Sequence, residues 1–432
     1  MRKPFPNGLR HVLGLACGLA LLGAATPLRA QENAPPAPYD SIGANGVTYD
    51  GPGRDAAFDL RGSTIHIGIL APIHGPQKAD GEAIIAAARI AIQDASRKPL
   101  PGGRHLALSI ADESVPPWGL LGDEIIHLVM QDKVAAIVTG ADGVAAHLSE
   151  QIGNKIGVAT LTLSGDDTTT EINMPWIFRM GPSDAQQAQG MARNIYQVHG
   201  YRRVLLVSGQ GHDGQIASKE FLKEVHKLGA PAPASVVINP LQLDASALLS
   251  IIQAKAPQAI VFWTLPENGK ELIHAIRAEG CHTPIYLSQK TAQAGSGLGL
   301  PLRSAEKLKD PAGMYFYTVD SRQAESPLRK DFVQRYQLAT GTLPSPVAAE
   351  AYDAVRLVAQ AIRKAGPNRA RVRDRISTAR NLAGVSGTIT FDDQGNNRTE
   401  TYLVRLQERT LQQASRARST PPHRKVKVDT QE

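Results

Sequence analysis

The residues with the types and spacing to do chemistry are carboxylates, glycines and a few histidines placed just after apolar segments. Gly209-Gln-Gly-His-Asp-Gly214 matches the dinucleotide fingerprint and falls between a predicted strand and a predicted helix. Its second requirement fails, because the next strand ends in Asn239, with no acid to hold ribose hydroxyls. The stretch reads better as a tight turn facing a cleft, with Asp213 free to touch a small ligand. Asp166-Asp167 could form a catalytic or metal-binding pair, but neighbouring loop residues rarely aim at one atom and no nearby histidine spacing completes a ligand set. We expect a solvated turn with one Asp facing the cleft, and no metal. His74, His147 and His212 are spread over three elements and read as surface or supporting residues. The candidate ligand contacts are Asp142, Gly143, Ser164, Gly165, Asp166 and Asp213. Trp118, at the start of a helix where it could stack on a ligand, and His74 are added to them. No Gly-x-Ser-x-Gly, His-Glu-x-x-His, Walker A or Cys-x-x-Cys motif occurs, so a non-enzyme without a cofactor is expected.

These residues need a scaffold that brings loops together. Residues 134–139 and 158–163 are apolar runs ending at Gly140-Ala-Asp-Gly143 and Ser164-Gly-Asp-Asp167, and Val144, Leu148 and Ile152 between them recur at helical spacing. A strand–helix–strand unit with right-handed crossover puts both loops on one sheet edge, where open α/β sheets bind ligands. Strands at 65–70 and 106–111 and helices at 79–95 and 118–131 precede this unit. After Pro182 the alternation restarts with strands at 204–208, 236–238, 259–264 and 284–287 and helices at 185–199, 214–228, 247–254 and 267–279. This predicts an α/β fold of two doubly wound parallel sheets, too large for one core. Helices at 326–340 and 347–365 follow, then a hairpin of 387–391 and 401–406 around Asp392-Asp-Gln-Gly-Asn396.

Arg2, Lys3 and Arg10 precede an apolar run from Val12 to Ala25, and Leu28-Arg-Ala30 offers a cleavage site. Residues 1–30 therefore read as a signal peptide directing export to the periplasm; lipid anchoring at Cys17 is the minority alternative, since Gly14 stands where lipoprotein signals usually carry Leu. Cleavage would lower the formal charge from +7 to about +3, and the tail after Arg409 is itself basic. The folded body is thus near neutral and carries no footprint of nucleic-acid binding. Cys281 would remain as the single cysteine, excluding an intramolecular disulfide, and is expected to be buried and inert. Residues 31–61 read as an extended leader and 409–432 as a disordered basic tail.

The succession resembles the type I periplasmic solute-binding proteins, in the branch that captures leucine, isoleucine and valine for ABC transporters. The matching phrases are Ile67-Gly-Ile-Leu-Ala-Pro72 with Gly75-Pro76, Gln131-Asp-Lys-Val134, Phe178-Arg179 before Pro182-Ser-Asp-Ala-Gln-Gln187, and Gly387-Thr-Ile-Thr-Phe-Asp392 with Gly395. The resemblance implies two Rossmann-like lobes joined by three crossings and hinged around a trapped ligand. By analogy the first lobe comprises 62–181 plus 321–383 and the second 182–320 plus 384–408. Family ligand loops correspond to Asp142-Gly143, here without a Ser, and to Ser164-Gly165-Asp166, with Asp in place of Thr. A covering aromatic corresponds roughly to Asp213. The implied protein is a monomer that captures a small polar ligand, an amino acid or an amine-bearing compound, and hands it to the membrane permease of an ABC transporter. A sensory or accessory partner of a periplasmic oxidation system is the alternative, and a nucleotide-dependent enzyme the remote one.

Overall fold

The computed structural model describes residues 53–55, 60, 62–172, 174–293, 314–318, 326–399 and 401–405. The expected signal peptide and basic tail lie outside these residues, as does most of the leader.

Two separate sheets carry the chain. The first is five-stranded and parallel, in the order β2 (His105–Asp112), β1 (Thr64–Ala71), β3 (Ala136–Thr139), β4 (Ala159–Thr162), β5 (Ile177–Arg179). Both faces are covered, as an all-parallel sheet requires. Ile65, Ile67 and Ile69 point into a core shared with the helices Lys78–Ser96 and Pro346–Ala365, while Leu70 and Ile137 point into a second core with Leu128 and Ala145. The helix Pro346–Ala365 belongs to this half despite its late place in the chain. Its start is set by Ser345, whose Oγ accepts from Ala348 N, and by Pro346 in the first turn.

The second sheet has the order β13 (Tyr402–Arg405), β10 (Met314–Thr318), β9 (Ile285–Leu287), β8 (Ala259–Trp263), β6 (Val204–Gly209), β7 (Ala234–Ile238). All its pairings are parallel except β10 with β13. Alternation along its strands sorts the side chains by face: Leu205, Val207, Ile260 and Phe262 enter one core, and Val204, Leu206, Val261 and Trp263 the other.

Three expectations change. The expected pairing of 387–391 with 401–406 does not form: Leu382–Ala383 (β11) pairs antiparallel with Thr388–Ile389 (β12) and Tyr402–Arg405 crosses to the second sheet, although the turn at 392–396 closes through Asp392 N to Asn396 O and the chain folds back as far as an antiparallel bridge between Phe391 and Asn397. A local turn signal fixes the turn but not the partner of the strand that follows. The helix expected at 118–131 starts with non-helical Trp118 and Gly119, the latter at φ 99°, and continues through π-type turns around Gly122–Ile126. Cys281 is half-buried rather than buried, its Sγ 3.4 Å from Thr283 Oγ1. Among the described residues, no helix is long and apolar enough to cross a membrane.

Candidate functional site

The carboxyl ends of strands from both sheets face one another across a cavity of about 170 Å³. From the first sheet come the loops after β3 and β4; from the second come the loops after β6, β8 and β9. Asp142 caps the helix Gly143–Ile156 by accepting from Ala145 N at 2.9 Å. The turn after β6 needs its glycines: Gly211 sits at φ 119°, and a Cβ on Gly214 would lie 1.9 Å from Gly209 O. That tight turn delivers His212 and Asp213 to the cavity.

Charges meet there in pairs. Asp166 is buried, with Oδ1 accepting from Thr168 N (2.9 Å) and Thr168 Oγ1 (2.7 Å). Its Oδ2 is 2.6 Å from His212 Nε2 of the second half and 3.4 Å from His147 Nε2. Burial opposes the charge on Asp166, but hydrogen bonds from His147, Thr168 and His212 outweigh it and hold the carboxyl well below its ordinary range. The same contact with Asp166, together with Glu150, raises His147 to about 9. Asp213 accepts from Gly143 N of the first half at 3.1 Å and pairs with Lys290. Lys290 also reaches Ala141 O at 3.4 Å, and although burial works against its charge, Asp213 and Asp142 push its pKa up. Two buried carboxyls complete the surroundings. Asp184 accepts from Trp263 Nε1 (3.2 Å) and Gln187 Nε2 (3.3 Å), and burial, then the charges of Asp167 and Asp213, raise it well above the carboxylate range. Glu113, behind Gly140, is raised by burial and by the charge of Asp142.

The loop carrying Asp166 is held from behind by Arg179. This buried side chain donates to Asp166 O (2.6 Å), Thr169 Oγ1 (3.1 Å) and Thr170 Oγ1 (2.9 Å). A second tie between the halves lies behind the cavity, where Gln289 Nε2 donates to Glu350 Oε1 at 2.6 Å and Val347 N donates to Gln293 Oε1 at 3.3 Å.

Residues 64–410 match the model of a family described as periplasmic binding protein. The chain belongs to that family. It is similar to a Leu/Ile/Val-binding protein, BraC3, of Rhizobium johnstonii, at 25% identity over 80% of this chain and 92% of the relative. A Leu/Ile/Val-binding protein homologue of Brucella melitensis is 23% identical over 77% of this chain and 88% of its own. Among solved structures, the branched-chain amino acid transporter substrate-binding protein LivJ of Streptococcus pneumoniae, in complex with isoleucine, superposes with a TM-score of 0.69 at 22% identity, covering 79% of this chain and 96% of its own. A solute-binding protein of an ABC transporter from R. palustris, in complex with benzoate, reaches 0.70 at 17% identity, covering 80% and 93%. The architecture is the type I periplasmic binding protein fold.

In this periplasmic binding protein the cavity gathers Asp142, Ser164, Gly165, Asp166 and Asp213 on its walls, with Gly143 against Asp213. Two expected contacts fall elsewhere. Trp118 is 86% exposed in its kinked turn and lines neither this cavity nor the neighbouring one. His74 borders that second cavity, of about 480 Å³, where its Nδ1 lies 2.8 Å from Asp112 Oδ2. Conversely His147 and His212, read as scattered, converge on Asp166, because helix Gly143–Ile156 and the Gly211 turn point toward the same loop from opposite halves. Sequence reasoning missed Lys290, Asp184, Gln187, Trp263 and Thr264 on the cavity wall. A signal was present for three of these: Lys290 follows the 284–287 strand and Trp263-Thr264 ends the 259–264 strand, so the carboxyl-end rule applied to the first half also points to them.

Proposed function

We propose that this protein is a periplasmic receptor that captures a small polar ligand bearing an amino group between two lobes and passes it to the permease of an ABC transporter. We take the lobes as 62–181 plus 326–399 and 182–293 plus 314–318 and 402–405, closing about segments near 182 and after Thr399; Val385, Ile389 and Phe391 in the first core support this end rather than 384, and the crossing expected near 320 lies outside the described residues. One observation carries the ligand class. Asp142, Asp166 and Asp213 line one cavity in which, among the described residues, Lys290 is the sole Lys or Arg side chain. An ammonium group is the natural counter-charge for such a set, and each charge-assisted hydrogen bond contributes roughly 1.5 to 3 kcal/mol. Lys290 offers a second pole for a carboxylate, so an amino acid satisfies both ends. The Leu/Ile/Val-binding relatives support the amino-acid reading, and the benzoate-bound neighbour supports the carboxylate pole.

A thermal-shift screen over amino acids, amides, amines and small acids tests this. A true ligand at a hundred times its Kd stabilises by roughly 2.7 kcal/mol. For the hit, Asp166→Asn and Asp213→Asn should each weaken binding about tenfold or more by calorimetry, from the loss of one charge-assisted bond. Unchanged affinity in both variants would refute the amine assignment.

A further inference from the structure

We propose that His147, Asp166 and His212 form a divalent transition-metal site, suited to Zn²⁺, that is completed only when the two halves meet. Their ligand atoms all lie within 4.8 Å of one another. Around a tetrahedral ion with bonds of about 2.0 to 2.2 Å, neighbouring ligand atoms stand about 3.4 Å apart. His147 Nε2 and Asp166 Oδ2 already have that separation, at 3.4 Å, and the His212 contact, at 2.6 Å, needs to open by under about 1 Å to admit the ion. Two further features point the same way. The other oxygen of Asp166 is fixed by Thr168, which leaves Oδ2 turned toward both imidazoles; Thr168 Oγ1 also lies 2.9 Å from His147 Nε2, a contact the ion would replace. Behind His147 lies Glu150, buried, with Oε2 3.5 Å from His147 Nδ1. A carboxylate backing the far ring nitrogen is the arrangement that directs the Nε2 lone pair of a metal-bound histidine at its ion.

Two imidazoles and one carboxylate, with no thiolate, suit Zn²⁺ and its borderline neighbours rather than Ca²⁺ or Mg²⁺. Three protein ligands leave one position open. Asp166 and His212 line the cavity, so that position faces the space where a solute or water would sit. Because His147 and Asp166 come from one half and His212 from the other, an ion here ties the halves together. The site shares Asp166 and His212 with the solute cavity, so metal and solute are tested separately.

The test uses the full exported chain, free of any affinity tag, stripped with chelator and desalted. Titration with Co²⁺ alone should give visible d–d absorption of a low-coordinate N/O site, and calorimetry with Zn²⁺ alone should give one equivalent per chain. His147→Ala and His212→Ala should each weaken Zn²⁺ binding at least a hundredfold, whereas His226→Ala, on the exposed face of its helix, should not change it. No saturable binding by the parent, or binding that survives both cluster substitutions, would overturn the site. Solute binding measured on the metal-free protein reports on the receptor reading alone, so one can fail while the other stands.

Discussion

Folding stability should fall as pH rises from about 4.5 to 8, and Glu350→Gln should abolish one proton's worth of that fall. Glu350 lies fully buried against Gly181, at the passage from the first sheet to the second, and accepts from Gln289 Nε2. Burial raises its pKa to about 8; the Gln289 bond lowers it and nearby Asp353 raises it. A carboxyl with a raised folded value keeps its proton in the native state while the unfolded chain has released its own. Its contribution is therefore complete below the unfolded value of 4.5, declines through the interval, and is lost above about 8. The slope for one such group is at most about 1.4 kcal/mol per pH unit, so a loss of several kcal/mol accumulates across the window. Glutamine has the same shape and no charge to desolvate. Urea denaturation at pH 5 and pH 8.5 should show the variant gaining on the parent by several kcal/mol at the higher pH; parallel losses would place the titration elsewhere.

Gly143→Ala should weaken ligand capture at least about a hundredfold, the equivalent of about 2.7 kcal/mol. A Cβ at this position would lie 2.5 Å from Asp213 Oδ1 and 2.6 Å from Asp166 Oδ2. The two clashes act differently. Asp166 shares a half with Gly143, so that clash strains the unliganded protein as well, offset by the better helix propensity of alanine, up to about 1 kcal/mol. Asp213 reaches Gly143 only from the other half, where it accepts from Gly143 N, so that clash opposes closure alone. Close contacts of this kind cost typically 1 to 3 kcal/mol, and here they also displace the carboxylates meant for the ligand. Calorimetry with the hit from the ligand screen, beside a melting curve, separates the two. Equal affinity in variant and parent would mean that the halves do not need this contact to hold a solute.

Much of this was legible in the sequence because parallel sheets bury both faces and put function at one edge. The apolar runs at 134–139 and 158–163 and the glycine turn at 209–214 led directly to Asp142, Asp166 and Asp213, all at or against the cavity. What was not legible depended on contacts between distant segments. His147 sits on one helix and His212 opens another, in separate halves, and no spacing rule predicts that they share one carboxylate. Tyr402–Arg405 left the expected hairpin for Met314–Thr318 because strand pairing is decided by an open sheet edge, not by the preceding turn. Trp118 was drawn into the candidate list by its place at a helix start, yet the kink at Gly119 leaves it in solvent.

The central claim, that two halves close on a small solute, is tested most directly by small-angle scattering of the parent protein with and without a saturating ligand from the screen, beside Gly143→Ala under the same conditions. The account predicts that the ligand lowers the parent's radius of gyration without changing its helix content, and that the variant shows no such compaction at that ligand concentration. A parent whose melting temperature rises with the ligand while its radius of gyration stays the same would contradict it.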